Sequence, residues 1–325
     1  VTTALSPSAA PALVWCLSEG HAGMETQIVG LAEALGLPHV VKRVRARRPW
    51  DWLPGRLWPF PLKAPTADSD PLTPPWPDLV ISTGNVAAPL AVAIRRASGG
   101  HTRLVHLQNP KLPLRLFDVV IAPRHDRLAG ENVVETRAGL HRVTPAKIEA
   151  GAGQWRDRLA HMPRPLIGVL LGGSNRRYRL DARSGAALGA SLAAAAARVG
   201  GSLAVTPSRR TGAPALEGLR QALGDRPRFI WDGKGDNPYF GLLGLADHLV
   251  ITADSVSMIS EALVTGRPVH VARLPGRSKR LGRFVDDLVA DGYVRWFDGR
   301  FDSWGYEPLD EMPRIAAEVR RRLGW

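Results

Sequence analysis

Short, wholly apolar runs alternate along this chain with stretches in which apolar residues recur every three or four positions. Residues 12–18 (Ala-Leu-Val-Trp-Cys-Leu-Ser) form the first run, and a glycine-containing turn, Glu19-Gly-His-Ala-Gly23, follows it. Met24 to Leu35 then sets Ile28, Leu31 and Leu35 on one helical face, with Gly36 closing the element. Further apolar runs at 40–44, 77–85 (a strand and its turn), 103–110, 117–123 and 132–136 predict strands, with an alanine-rich helix over 86–98. Residues 144–164 read as a helix and a linker ending in Met162-Pro-Arg-Pro165, after which the pattern restarts. Strands are expected at 166–171, 202–206, 228–231, 248–251 and 269–272, a helix over 184–199, and a closing helix over 309–323 with Ile315, Val319 and Leu323 spaced by four. Runs apolar on both sides of the pleat, alternating with helices, predict parallel sheets covered on both faces. The expected fold class is therefore α/β, with two Rossmann-like doubly wound domains and a cleft between them. The predicted domains are 1–150, 151–308, and a terminal helix 309–325 returning to the first domain.

The stretch Leu249 to Pro268 concentrates the candidate chemistry. An apolar strand breaks at Thr252-Ala-Asp254, a helix follows that Asp254 or Ser255 can cap, and Gly266 and Pro268 mark its end. A strand feeding a capped helix presents free N–H groups and a positive dipole end to an anion. Ser257 and Glu261 are four residues apart, on one helix face. The same pattern also describes an ordinary buried βα unit. Its weight grows beside Gly172-Gly-Ser-Asn175, which follows the first strand of the second domain and lets backbone N–H groups approach a phosphate. Both turns belong to the carboxyl edge of one sheet, where ligands of such folds bind. Arg176, Arg177, Arg209, Arg210 and the loop Arg273–Arg280 follow strands of that sheet and are candidate phosphate clamps. In the first domain His21, on the glycine turn, is the leading candidate for a general base, ahead of Glu19, His125 and Asp126. A histidine that only orders the turn fits the pattern equally.

Composition narrows this picture. The 325 residues suffice for two domains, and 45% hydrophobic with 22% charged residues describes a globular chain. One cysteine, Cys16, excludes a disulfide framework and a cysteine metal site, and the histidines are scattered, so no metal is expected. Val1 to Ala12 has no basic run and no stretch approaches a membrane span, so neither a signal peptide nor a spanning helix is expected and the localisation reads as cytoplasmic. The net charge of +13 favours an anionic partner: a phosphorylated ligand or an anionic membrane surface. No finger or RNP-like run accompanies it, so nucleic acid is not the expected partner. Residues 49–77 hold nine prolines and four tryptophans (Trp50, Trp52, Trp58, Trp76) with little periodicity. Either this loop forms an apolar lip touching a membrane or a lipid-linked acceptor, or it packs on its own domain.

Absent motifs separate enzyme classes. The first turn lacks G-x-G-x-x-G, and the positions four after Tyr178, Tyr239, Tyr293 and Tyr306 are Ala182, Leu243, Phe297 and Asp310, so the Tyr/Lys pair of short-chain epimerases is missing. H-E-x-x-H and G-x-S-x-G are also absent. No cofactor is therefore expected; a nucleotide-diphosphate sugar is expected as substrate.

With these residues assembled, the chain resembles the GT-B glycosyltransferases, and the peptidoglycan N-acetylglucosaminyltransferase in particular. The likeness lies in a Gly/His turn after the first strand, a Gly-Gly-Ser turn opening the second domain, and a Ser…Glu helix with a Gly-x-Pro exit. It implies Gly173 and Ser174 at the diphosphate, Ser255 at the helix N-terminus, Glu261 on ribose hydroxyls, and His21 near the acceptor. More closely, nearly the whole chain resembles the bacterial branch of the "elongated mitochondria" fission family. The matching stretches are Gly20-His-Ala-Gly-Met-Glu25, Pro77-Asp-Leu-Val-Ile81, Gly139-Leu-His-Arg-Val-Thr-Pro145, Leu171-Gly-Gly-Ser-Asn175, Ser208-Arg-Arg-Thr211, Asn237-Pro-Tyr239 and Thr252-Ala-Asp-Ser-Val-Ser-Met-Ile-Ser-Glu-Ala262. In plants that family is associated with recruiting a dynamin-related protein to mitochondria, which implies an adaptor role. Its bacterial members are often labelled nucleoside-diphosphate-sugar epimerases. The combined expectation is a metal-independent GT-B-type transferase with a membrane-proximal acceptor, peripheral on the membrane's inner face; the alternatives are a non-catalytic adaptor and an epimerase.

Overall fold

The computed structural model describes residues 13–325, the side chain of Ala22 excepted. Ala12 of the first apolar run, and the stretch 1–12 on which the expectation of no leader rests, lie outside the described residues. The chain divides into two compact units. One extends to Arg142 and takes in Asp310–Trp325; the other is Val143–Leu309. Each is built on a six-stranded parallel sheet.

In the first unit, strand β1 (Val14–Ser18) leads through helix α1 (Ala22–Ala34) to β2 (His39–Arg43). β3 (Leu79–Thr83), α2 (Ala87–Ala97), β4 (Arg103–Leu107), β5 (Val119–Pro123) and β6 (Val133–Thr136) follow. The spatial order is β2-β1-β3-β4-β5-β6. Alternate residues of β1 serve different cores, because successive side chains point to opposite faces. Val14 and Cys16 pack with Ile28 and Leu31 of α1, while Trp15 and Leu17 pack with Ala87, Leu90 and Ile94 of α2.

The second unit begins with α3 (Pro145–Leu159), whose first turn is capped by the Thr144 hydroxyl. β7 (Leu166–Leu171), α4 (Ala182–Val199), β8 (Ser202–Pro207), α5 (Ala213–Leu223) and β9 (Arg228–Ile230) run to one edge. The chain then crosses back through α6 (Tyr239–Leu245) to β10 (His248–Thr252), α7 (Val256–Leu263), β11 (Val269–Ala272), α8 (Lys279–Ala290) and β12 (Val294–Trp296). The order is β12-β11-β10-β7-β8-β9. The last helix, α9 (Glu311–Leu323), packs on α1, β5 and β6 of the first unit.

Two differences from the sequence pattern have local causes. The helix after Asp254 stops at Leu263 rather than running to Gly266, because the Thr265 hydroxyl (2.6 Å) and N–H (3.1 Å) both donate to the Ala262 carbonyl. Gly266 then turns the chain with a φ of +67°. The Pro/Trp-rich segment is not formless: 3-10 turns at Gly55–Leu57 and Pro61–Lys63 fold it back, Trp58 is buried, and Trp76 stands edge-on to Trp15.

Each sheet has one place where strand order reverses: between β1 and β3 in the first, and between β7 and β10 in the second. At such switch points neighbouring loops diverge to opposite faces and open a crevice beyond the carboxyl ends of the strands.

Candidate functional site

At the switch point of the second unit, β7 ends at Gly172-Gly173 and β10 ends at Thr252. The turn after β10 holds Asp254, whose side chain is wholly buried. Its carboxylate accepts from the Gly173 N–H (3.0 Å), the Thr252 hydroxyl (2.7 Å) and the Arg210 guanidinium (2.9 Å). The Thr252 oxygen in turn accepts from the Gly172 N–H at 2.7 Å. From β8, the Ser208 hydroxyl (2.8 Å) and the Thr211 hydroxyl donate to the Gly172 carbonyl. Three strand ends are thus clasped around one buried carboxylate. Glycine is required here by close approach: a Cβ on Gly172 would lie 2.2 Å from an Asp254 oxygen, and one on Gly173 would lie 2.1 Å from the Arg210 carbonyl oxygen.

Ser255 is the N-cap of α7, its hydroxyl accepting from the Met258 N–H at 3.4 Å. The N–H groups of Val256 and Ser257, in the first turn, have no acceptor within the helix and lie at its positive end. One turn beyond Ser257, Glu261 accepts a hydrogen bond from the Tyr239 hydroxyl on its Oε2. Burial pushes the Glu261 carboxyl above the usual carboxylate range, against the lowering effect of the Tyr239 bond. The Tyr239 hydroxyl is raised well above its ordinary value by burial and by the Glu261 charge. Tyr239 is held through Asn237, whose Oδ1 accepts from the Tyr239 N–H (2.9 Å) and from Thr206 at the end of β8 (3.3 Å).

The structure brings Gly172, Gly173, Arg210, Asp254, Ser255, Ser257 and Glu261 together at this crevice, with Arg209 exposed beside Arg210. Ser174 and Asn175 sit on the loop that leaves it. The Ser174 hydroxyl is engaged with the Leu180 N–H and carbonyl, and the Asn175 side-chain Oδ1 accepts from the Arg177 and Tyr178 N–H groups. Thr252, Tyr239, Asn237, Ser208 and Thr211 are candidate site residues that pattern alone did not single out for a role. The signal available was the position of Asn237-Pro-Tyr239 and Ser208-Arg-Arg-Thr211 after strands of this sheet.

His21 belongs to the first unit and lies at that unit's switch point. It is exposed and is the N-cap residue of α1, with extended backbone and no side-chain cap bond. Its surroundings are fixed by neighbours. Glu25 accepts from Ser18 (2.9 Å) and from both prongs of Arg43 (2.9 and 2.7 Å), and Arg43 holds its carboxyl below the usual range. Glu19 accepts from the Val86 N–H at 2.8 Å, tying the turn after β1 to the turn after β3. His125, a weaker candidate, is buried.

A family model described as mitochondrial fission ELM1 matches residues 22–323. The chain belongs to this family. A curated relative, the mitochondrial fission protein ELM1 of Arabidopsis thaliana, is 34% identical over 279 residues, covering 77% of this chain and 65% of the plant protein. The chain thus spans about two thirds of that relative's length. Among solved structures, MurG of Acinetobacter baumannii matches with a TM-score of 0.53 at 16% identity, over 96% of this chain and 92% of that one. A UDP-GlcNAc 2-epimerase from Methanocaldococcus jannaschii matches with a TM-score of 0.53 at 10% identity, over 95% and 99%. A UDP-glucosyltransferase from Polygonum tinctorium gives 0.53 at 12% identity, over 98% and 89%. At these identities the likeness is one of fold: two Rossmann-like domains of the GT-B kind. Among the described residues, no helix is long and apolar enough to cross a membrane.

Proposed function

We propose that this protein is a GT-B-type glycosyltransferase whose second unit binds a nucleotide-diphosphate sugar and whose first unit binds a lipid-linked acceptor. The observation that carries the reading is the second-unit crevice. There the Asp254 clasp fixes the turn that leads into α7, and among the described residues the Val256 and Ser257 N–H groups have no acceptor, so they can meet a phosphate. One turn later the Glu261 Oε1 has no hydrogen bond among the described residues. Two fold neighbours, a UDP-glucosyltransferase and a UDP-GlcNAc 2-epimerase, are named for UDP sugars, which supports the donor class.

In this reading the α7 N-terminus and Arg209 stabilise the leaving diphosphate, since preorganised donors act where charge develops. Glu261 accepts from ribose hydroxyls, with Tyr239 fixing its orientation. The acceptor hydroxyl oxygen bonds to the anomeric carbon while the bond from that carbon to the diphosphate oxygen breaks, its electron pair leaving on the diphosphate. His21 takes the acceptor proton.

Calorimetric titration with UDP, GDP, ADP and CMP sugars tests the donor site. One nucleotide class is expected to bind, and Glu261→Ala to weaken it about tenfold or more, as expected for loss of a charge-assisted hydrogen bond. Unchanged affinity in the variant would count against the assignment. Binding by none of the sugars would favour the adaptor role instead.

A further inference from the structure

Among the described residues, six large hydrophobic side chains stand well exposed, and four of them fall within nine residues. They are Trp52 (67%), Leu53 (36%), Leu57 (58%) and Phe60 (74%). Their exposure is built rather than incidental. The Trp50 indole N–H donates to the Pro59 carbonyl (2.7 Å), and that of buried Trp58 donates to the Leu53 carbonyl (3.0 Å). Arg47 Nε donates to the Lys63 carbonyl (3.0 Å), closing the base of the loop. A contiguous apolar tip of this kind marks an interaction site, because folded proteins ordinarily cover such surface.

The charges around the tip indicate what covers it. Residues 47–63 carry four cations, Arg47, Arg48, Arg56 and Lys63, against one acid, Asp51. None of the four is in an ion pair among the described residues. Instead Arg48 lies over the Trp52 ring at 4.5 Å, Arg47 over Trp50 at 5.2 Å, and Lys63 over Phe60 at 5.4 Å. Exposed aromatic rings with cations beside them match the boundary of a bilayer, where indoles sit at headgroup depth and guanidinium groups meet phosphates. Behind the tip, a groove of about 580 Å³ is walled by Trp52, Leu53, Trp58, Val86 and Lys111. It leads from the exposed side chains to the turn after β3.

We propose that residues 47–63 form a docking surface for an anionic lipid bilayer, with Trp52, Leu57 and Phe60 entering the interface and Arg48, Arg56 and Lys63 meeting lipid phosphates. The groove then delivers a docked headgroup to the switch point of the first sheet. This surface needs no sugar donor, so it stands or falls apart from the transferase reading.

Flotation of the full chain with vesicles, in the absence of nucleotide, tests it. The protein is expected to float with phosphatidylcholine vesicles containing phosphatidylglycerol, to stay in the soluble fraction with phosphatidylcholine alone, and to be released by salt. Trp52→Ser/Leu57→Ser/Phe60→Ser and, separately, Arg48→Glu/Lys63→Glu are each expected to lose about tenfold or more in vesicle affinity; each cation near the surface is worth about fivefold. All five positions are exposed, and unchanged circular dichroism and melting would show that the variants are folded. Absence of flotation, equal flotation with neutral vesicles, or wild-type flotation by either variant would overturn the proposal. Failure to float together with retention of a nucleotide sugar would discard the docking surface and keep the transferase.

Discussion

Asp254 illustrates how far a single residue's role departs from its place in the sequence. Pattern allows it to cap a helix or to lie at a phosphate. In the structure Ser255 takes the cap, and Asp254 turns inward to join β7, β8 and β10. Asp254→Asn keeps the size but replaces one acceptor oxygen with a donor that faces either both the Gly173 N–H and Arg210 or the Thr252 hydroxyl. A loss of about 2–4 kcal/mol is expected from a buried donor or charge left unpaired, read as a lower urea midpoint with an unchanged slope. Gly173→Ala should cost about 1–3 kcal/mol in the same measurement, because its methyl has no room beside the Arg210 carbonyl. The hydrogen bond between Tyr239 and Glu261 joins residues 22 apart in sequence, a pairing that helical spacing does not announce. Several arginine pairs also find internal work. Arg95 holds Asp118, and Arg321 and Arg322 both hold Glu318, so these arginines are already engaged and are not candidates to clamp a ligand.

At the scale of elements, the inner strands β1, β3, β7 and β10 were legible because each is buried along its whole length and therefore largely apolar, whereas the short edge strand β12, with Arg295 exposed, escaped that pattern. Helix α8 was not, since only Phe284, Val285 and Leu288 of its twelve residues are buried amid lysine, arginine and aspartate. β10 and β11 carry a feature that alternation alone conceals. His248 and His270 are buried side by side, with ring nitrogens 3.4 Å apart, beneath Phe297, Phe301 and Trp304. Burial pushes the His270 imidazole down to about 4, with the His248 ring adding to the effect, and burial also lowers His248. Asp298 and Asp302 oppose this for His270, Asp247 and Asp302 for His248, while Arg295 reinforces it for His270. Because the folded imidazoles bind protons more weakly than the unfolded ones, acid favours the unfolded chain. Stability should be fully present above about pH 6.5 and fall as pH drops from there towards about 4. Denaturant midpoints across that range check this; a flat profile between about pH 6.5 and 5, where few carboxylates titrate, would refute it.

For the whole molecule, α9 decides which segments make up a folded unit. Met312, Ile315, Val319 and Leu323 enter the same core as Ile28 and Leu31 of α1, and the Glu311 carboxylate accepts from the Arg137 N–H at 2.8 Å. Ending the chain after Leu309 removes, among the buried side chains of α9, four large apolar ones worth about 1.5–3 kcal/mol each, which is comparable with the stability of a whole domain. Calorimetry of the truncated chain should show the first unit's transition lost and that of Val143–Leu309 retained. The parallel sheets, the turn chemistry after Leu171 and Thr252, and the apolar stripe of α9 were determined by sequence, because periodicity and capping depend on near neighbours. Tertiary structure decided which sheet that stripe covers, that Asp254 is a clasp and that Tyr239 bonds Glu261, and that Trp58 is buried while Trp52 and Phe60 face outward. Each of these depends on partners brought together from distant parts of the chain, and spacing along the chain does not encode them.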